Sequence, residues 1–356
     1  MYQTFFFYII VYILCSFSLF LLKNRISSIF FTCLLLAFFL GLRVNVGNDY
    51  LQYTNIYTHI TIYQDYDNIE IGFFLLSKLS YLMFGDNGIH FVFFVYSFFT
   101  YYFIFKSNNN PNNNQKVLLL IFITGFIFFS NNAIRQALSI SIFLYASKFL
   151  LNHKIKYVLI ILLNSFLIHL SALLFIFALL APKRKIKPIF LYCFLSISFI
   201  IYSLDLINLF IKNIISYIPI YSEIYYQRVI DFTSKEQGTG LTILLYFGIV
   251  AYVISKEHHV IYKKFNVFII GVILFLAAPH IEMWERITIP FFYMAIIIIP
   301  SLYESSKLSF RYLKYKNIPL IISAFLMSFL FFYQVVNNVN KNGVSPYEHV
   351  IFGKFE

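Results

Sequence analysis

Apolar runs of roughly 20 residues recur along the chain from Phe5 to Val336, separated by short polar loops, and each is long enough to cross a bilayer as a helix. Of the 356 residues 60% are hydrophobic and only 12% charged, whereas soluble domains carry about 25% charge. No water-soluble fold of this size can hide that much apolar surface. The expected fold is therefore all-α: a polytopic integral membrane protein with about 10–12 transmembrane helices and possible re-entrant segments. Spans are predicted near residues 4–22, 26–42, 88–105, 117–130, 134–151, 189–204, 241–255, 265–279, 287–302 and 318–336. They make one transmembrane domain over 1–336, with external loops at about 43–87 and 205–240 and a polar C-terminal tail at 337–356. The first run is too long for a signal-peptide core and lacks a small-residue cleavage site before Lys23 and Arg25, so it reads as a retained span. Cys15, Cys33 and Cys193 sit inside apolar runs without paired or metal-type spacing and read as small core residues.

Residues 69–84 and 157–181 fit the span pattern poorly: the first is short and holds Glu70 and Lys78, the second is overlong and holds Asn164, Ser165 and His169. Loop charge arbitrates. If the first does not span and the second is a re-entrant hairpin, the loops at 23–25, 106–116, 148–156, 183–187, 256–264 and 303–317 share one side and hold 18 of the 27 Lys and Arg. Only Glu257 and Glu304 of the 15 acids accompany them. The positive-inside rule puts that side in the cytoplasm and both termini outside. The formal charge of +12 is thus used for orientation, and no nucleic-acid partner is expected. The stretch IKNIISYIPIYSEIYYQRVIDF in the second external loop can lie on the membrane as an interfacial helix. The SNNNPNNNQ tract at 107–115 reads as a polar turn-forming linker.

Arginine is distributed against this trend. Of seven Arg, only Arg25, Arg184 and Arg311 fall on the basic side, while Arg43, Arg135, Arg228 and Arg286 fall on the other. Guanidinium binds phosphate oxygens with two prongs, which ammonium cannot do, so external arginines at the membrane suit a lipid pyrophosphate. Interfacial snorkelling or pairing with acids is the plainer alternative. Arg43 is followed by Gly47, Asn48, Asp49, Tyr50 and Tyr53, a tight-turn pattern that can point Asp49 back at the membrane, or merely cap a helix with it. Glu70 opens the next apolar segment, either as a helix-start acid or as part of a site. Arg135 and Gln136 follow Asn131 and Asn132 directly, so a charge enters the apolar layer, which is costly unless it is paired or functional. His169 titrates in the range that suits a general base, but membrane histidines also bridge helices structurally. His280, Glu282, Trp284, Glu285 and Arg286 crowd one loop, combining phosphate-binding and sugar-stacking groups, although an aromatic belt explains Trp284 equally well. No Walker loop, dinucleotide fingerprint or zinc-ligand pattern is present, so neither cofactor nor metal is expected.

R-V-N-V-G-N-D-Y-x-x-Y at 43–53, Glu70-x-Gly72-Phe73, Arg135-Gln136-Ala137, Ile-His-Leu-Ser-Ala at 168–172, and Glu285-Arg286-Ile287 followed by Pro290-Phe291-Phe292-Tyr293 together resemble the EpsG/Wzy-type polymerases of bacterial surface polysaccharides. Asn48 stands where relatives often have Thr or Ser. The resemblance implies a multi-pass protein of the bacterial cytoplasmic (inner) membrane. It would polymerise undecaprenyl-pyrophosphate-linked oligosaccharide repeat units for O-antigen, capsule or exopolysaccharide, with its active site facing the periplasm or exterior. The partners implied are the bilayer, the lipid-linked oligosaccharide, a chain-length regulator and a flippase. On this reading Asp49, Glu70 or His169 is the general base, while Arg43, Tyr50, Tyr53, Arg135, Gln136, Arg228, Glu285 and Arg286 bind pyrophosphate and sugar. A lipid-linked oligosaccharide flippase shares the span count and the arginines and is the alternative function; a structural partner of the assembly complex explains the hydrophobicity but not the arginines. The topology is checked by impermeant thiol labelling of single cysteines: Ser107→Cys and Lys185→Cys stay protected from outside while Thr239→Cys reacts, and the reverse pattern overturns the hairpin at 157–181.

Overall fold

The computed structural model describes residues 2–22, 24–63, 69–207, 209–210, 262–278, 282–307, 326, 328–333, 335–336 and 343–355. The spans expected at 241–255 and over most of 318–336, and the interfacial stretch after 210, lie outside the described residues. The chain divides into two compact units: Met1–Leu179 with Ile299–Ser301 and Ala324–Glu356, and Leu180–Ile298 with Leu302–Ser323.

The first unit begins with α1 (Tyr2–Leu21) and α2 (Arg25–Leu36), the latter continued by a π turn over Ala37–Gly41. Asn24 caps α2 by accepting from the Ile26 amide, a standard use of Asn at a helix start. A loop leads to α3 (Tyr50–Thr58), then α4 (Ile71–Phe84) and α5 (Gly88–Ser107). Two runs among the described residues are long and apolar enough to cross a bilayer, Tyr2–Leu21 and Ile71–Ser107, or three if the bent pair Pro111–Ile123 and Phe126–Asn132 is one broken span.

The run Ile71–Ser107 reverses on itself. The rings of Phe73 and Tyr96 lie 5.8 Å apart, whereas 23 residues of straight helix would separate them by about 34 Å. The 3-10 turn Gly85–Asn87 makes the reversal, so α4 lies along α5 and its first residues reach about 12 Å below the Gly88 end. The helix of the bent pair breaks by 62° at Gly125, whose φ of 74° a side chain disfavours, giving α6 (Asn114–Ile123) and α7 (Phe126–Asn132). α8 (Ile134–Ala146) follows.

The ambiguous segment 157–181 also doubles back. α9 (Lys154–Leu167) is followed by a 3-10 helix over Leu170–Leu180, and the Tyr157 hydroxyl donates to the Phe175 carbonyl. Eighteen residues of straight helix would hold those groups about 27 Å apart, so the segment is a hairpin with its tip near His169. Charge asymmetry and structure agree here.

The second unit contains α10 (Pro188–Ser203), α11 (Tyr262–Ala277) and α12 (Glu282–Phe292). Trp284 Nε1 donates to the Leu274 carbonyl at 2.6 Å, tying α12 to α11, and Asn266 Nδ2 donates to the carbonyls of Pro182 and Arg184. α13 (Ala295–Lys307) follows, with its Ile299–Ser301 segment assigned to the first unit. Cys15 and Cys33 are buried as expected, but Cys193 is exposed on α10, a position open to lipid.

The C-terminal tail is folded where it is described. β1 (Tyr347–His349) and β2 (Gly353–Phe355) form an antiparallel hairpin, and the chain at Leu42–Val44 pairs with its other edge through Val44 N to Glu348 O and Val350 N to Leu42 O, both 2.9 Å. Tyr347 is fully buried, stacks on Phe7 with centroids 4.3 Å apart and donates to the Phe39 carbonyl. Apolar residues spaced through a tail of polar appearance serve this packing. Truncating a fully buried aromatic typically costs about 3–5 kcal/mol, so Tyr347→Ala lowers the thermal unfolding midpoint of the detergent-purified protein sharply. Val350→Ala, at the exposed hairpin tip, leaves it within a degree or two; equal midpoints for both variants would mean that the tail does not brace the unit.

Candidate active site

The loop between α2 and α3 is built around Arg43. Its guanidinium is fully buried, with Nε on the Val46 carbonyl at 3.0 Å, one terminal nitrogen on Leu40 at 3.1 Å and the other on Asn131 at 2.7 Å. The Phe93 ring lies 4.5 Å below it. Two of these carbonyls end helical segments, where acceptors have no intrahelical donor and the helix dipole is negative. That is how a buried cation is held without a carboxylate. Gly47 is required beside it: its φ is +97°, and a Cβ would stand 2.5 Å from the Asn131 carbonyl oxygen. The turn expected at 47–50 forms, with Tyr50 N donating to Gly47 O at 3.0 Å, and Asp49 N donates to Asn132 Oδ1 at 3.0 Å. Asp49 occupies the N-cap position of α3 but makes no side-chain cap bond.

Arg43, Tyr50 and Tyr53, expected as substrate contacts, lie in the protein interior. Arg43 binds backbone, and both tyrosines are core residues packed with Phe73, Phe93 and Tyr96. Gln136 is buried on α8. Arg286 is exposed on α12 in the second unit; Arg228 and the side chain of Glu285 lie outside the described residues, as does His280.

What the structure brings together is Arg135, Glu70 and His169. Glu70 stands at the N-cap of α4, Arg135 in the first turn of α8 and His169 at the hairpin tip after α9. Arg135 donates through one terminal nitrogen to Glu70 Oε2, and His169 Nδ1 lies 2.7 Å from Oε1. An ionised carboxylate only accepts, so Nδ1 carries the proton and Nε2 is the basic nitrogen. The three side chains are 17%, 14% and 29% exposed respectively, enough to meet a ligand at the histidine edge. Burial alone would raise the Glu70 carboxyl, but the His169 bond and the Arg135 charge hold it below its ordinary value, so it is an anion at neutral pH. The Arg135 guanidinium lies 5.5 Å from the rings of both Tyr53 and Phe73, and its Nε is buried with no hydrogen-bond acceptor among the described residues.

Gly72 makes the junction possible. A Cβ there would meet the Leu167 carbonyl oxygen at 2.3 Å, so only glycine lets α4 come close enough to the tip of α9 for Glu70 to reach His169. Asn164 Nδ2 fixes the same tip by donating to the Ser139 carbonyl at 2.9 Å. Sequence reasoning had named all three charged residues without pairing them. It missed Asn131, Phe93 and the Gly72 contact, for which a single sequence offers no signal. Among the described residues no group of three or more His, Cys, Asp or Glu gathers.

In the comparison with protein families, the EpsG family matches residues 26–349. No curated protein and no solved structure matches the chain.

The two arginines separate experimentally. Arg43→Lys leaves buried carbonyls without donors, at about 1–3 kcal/mol each, and the yield of monodisperse protein falls, while Arg135→Lys purifies normally. An Arg43→Lys protein as stable as wild type, but defective in binding a lipid pyrophosphate, would return Arg43 to the ligand site.

Proposed function

Because this chain belongs to the EpsG family of Wzy-like polymerases, we propose that it joins lipid-pyrophosphate-linked oligosaccharide repeat units into a surface polysaccharide at the outer face of the bacterial inner membrane, with Arg135, Glu70 and His169 as its catalytic centre. The observation that carries this reading is the bond from His169 Nδ1 to Glu70, itself held by Arg135. It turns a membrane histidine into an oriented base.

In this mechanism the terminal hydroxyl of the acceptor unit lies against His169 Nε2, which takes its proton as the oxygen attacks the donor's anomeric carbon. The bond from that carbon to the pyrophosphate breaks, and the lipid pyrophosphate departs with the electron pair. Glu70 keeps the imidazole in the correct tautomer and stabilises the imidazolium that forms, a role carboxylates play in other catalytic pairs. Arg135 fixes Glu70 and adds positive charge near the leaving group, where a site shielded from water strengthens it. In this reading Asp49, one turn before Tyr53 and tied through its amide to Asn132, contacts the saccharide.

A lipid-linked saccharide flippase is the second reading, favoured by one observation: doubled-back segments meeting within the layer are also how transporters build central sites. Gene deletion separates the two, since a polymerase mutant still adds one repeat unit to its surface acceptor and a flippase mutant adds none. With purified protein and a synthetic lipid-linked repeat, His169→Gln and Glu70→Gln lose turnover by about 100- to 10,000-fold with substrate binding retained. Arg135→Lys weakens both. Near-normal turnover in His169→Gln and Glu70→Gln removes this centre from the reaction.

A further inference from the structure

At the end of the first unit away from the catalytic cluster, we infer a binding site for the phosphate of an anionic phospholipid headgroup, formed by Arg25, Lys106 and Lys148 on an aromatic shelf. The shelf is a chain of rings from three elements: Tyr102 to Phe103 at 5.8 Å, Phe103 to Tyr145 at 5.6 Å and Tyr145 to Phe149 at 5.8 Å between centroids. Lys106 Nζ stands 5.6 Å from Tyr102 and Lys148 Nζ 5.7 Å from Tyr145, with Lys156 Nζ 4.1 Å from Phe149 at the margin. Arg25 joins them from the start of α2, donating to the Asn108 and Asn109 carbonyls at 2.7 and 3.3 Å, just past Lys106. Those bonds hold the SNNNPNNNQ tract, expected to be only a linker, against the cationic group. Arg25, Lys106 and Lys148 are each half-buried.

Among the described residues no carboxylate is within reach. Residues 1–48 and 87–204 contain no Asp or Glu at all. The described acids of the unit lie elsewhere: Glu70 beside Arg135, Asp49 tied to Asn132, Glu348 on the strand beside Arg43, and Asp86 in the turn before α5. Arg135 and Lys148 are 13 residues apart on one helical run, about 20 Å. Among the described residues no acid pairs with these three cations, so their half-buried charge stands there without a counter-ion and presents a ready site for an anion. Orientation by loop charge explains the sign of these residues but not their convergence on one shelf. Aromatic rings at a span end mark headgroup depth, and a basic pocket between spans at that depth suits a lipid phosphate.

The test uses the full-length protein purified in detergent and mixed with phosphatidylglycerol and phosphatidylcholine, with the retained lipid measured after repeated washing. Wild type retains phosphatidylglycerol preferentially. Lys106→Gln/Lys148→Gln, which leaves the Arg25 brace intact, loses that preference at least tenfold, since each basic residue near a headgroup contributes about fivefold. A control, Lys183→Gln/Lys185→Gln, removes the same charge from another loop and keeps it. If the double variant does not fold, Lys148→Gln alone is read the same way, with about a fivefold loss. Equal loss in the control, or full retention in the site variant, overturns the proposal. So does displacement of the lipid by millimolar inorganic phosphate, which would make free phosphate the ligand.

Discussion

A guanidinium buried where, among the described residues, no carboxylate reaches it is the constraint around which one end of the first unit is arranged. In a low-dielectric surrounding, a charge without compensation is expensive. Arg43 is compensated by the carbonyls of Leu40, Val46 and Asn131 and by the face of Phe93. Each of those acceptors must be delivered by its own piece of backbone. The π turn ends α2 at the right place, Gly47 allows the loop to pass over Asn131, and the break at Gly125 brings the end of α7 to the same point. The C-terminal hairpin closes the arrangement by pairing with Leu42 and Val44.

This brace fixes the start of α3 and, through Asn132, the approach to α8. Two doubled-back segments then meet beside it, α4 with Glu70 at its first turn and the α9 hairpin with His169 at its tip. Neither is a complete span. Helix ends inside the apolar layer leave backbone groups without partners, which is why irregular backbone at that depth is confined to protein interiors and sites. Here the helix ends bring Glu70 and His169 within hydrogen-bonding distance, with Arg135 on the other carboxylate oxygen.

Much of the helical scaffold was legible because hydropathy is a property of each residue and adds along the chain. α1, α2, α5, α8 and α10 fall where the apolar runs predict, and the asymmetry of loop charge identified the hairpin at 157–181. Arg135 was legible as a charge needing a partner, but the partner lies 65 residues away and no local pattern points to it. The surroundings of Arg43 were not legible for a reason of chemistry: every residue has a carbonyl, so a sequence gives no sign of which backbone groups will meet a guanidinium. Tyr50 and Tyr53 illustrate the same ambiguity, since an amphipathic ring suits a sugar site and a core equally. Val344, Tyr347 and Phe355 look sparse in a polar tail, and only the strand offered by Leu42–Val44 makes them a packed hairpin.

If Glu70 acts through His169, the two behave as one unit in turnover. A double-mutant cycle on turnover tests it most directly, using Glu70→Gln, His169→Gln and the combined protein, each verified to fold and to bind the lipid-linked substrate. Residues that act as a unit are strongly non-additive. The double variant is expected to turn over no more slowly than His169→Gln alone. Losses that multiply, so that the double variant falls by the product of the two single effects, would contradict it.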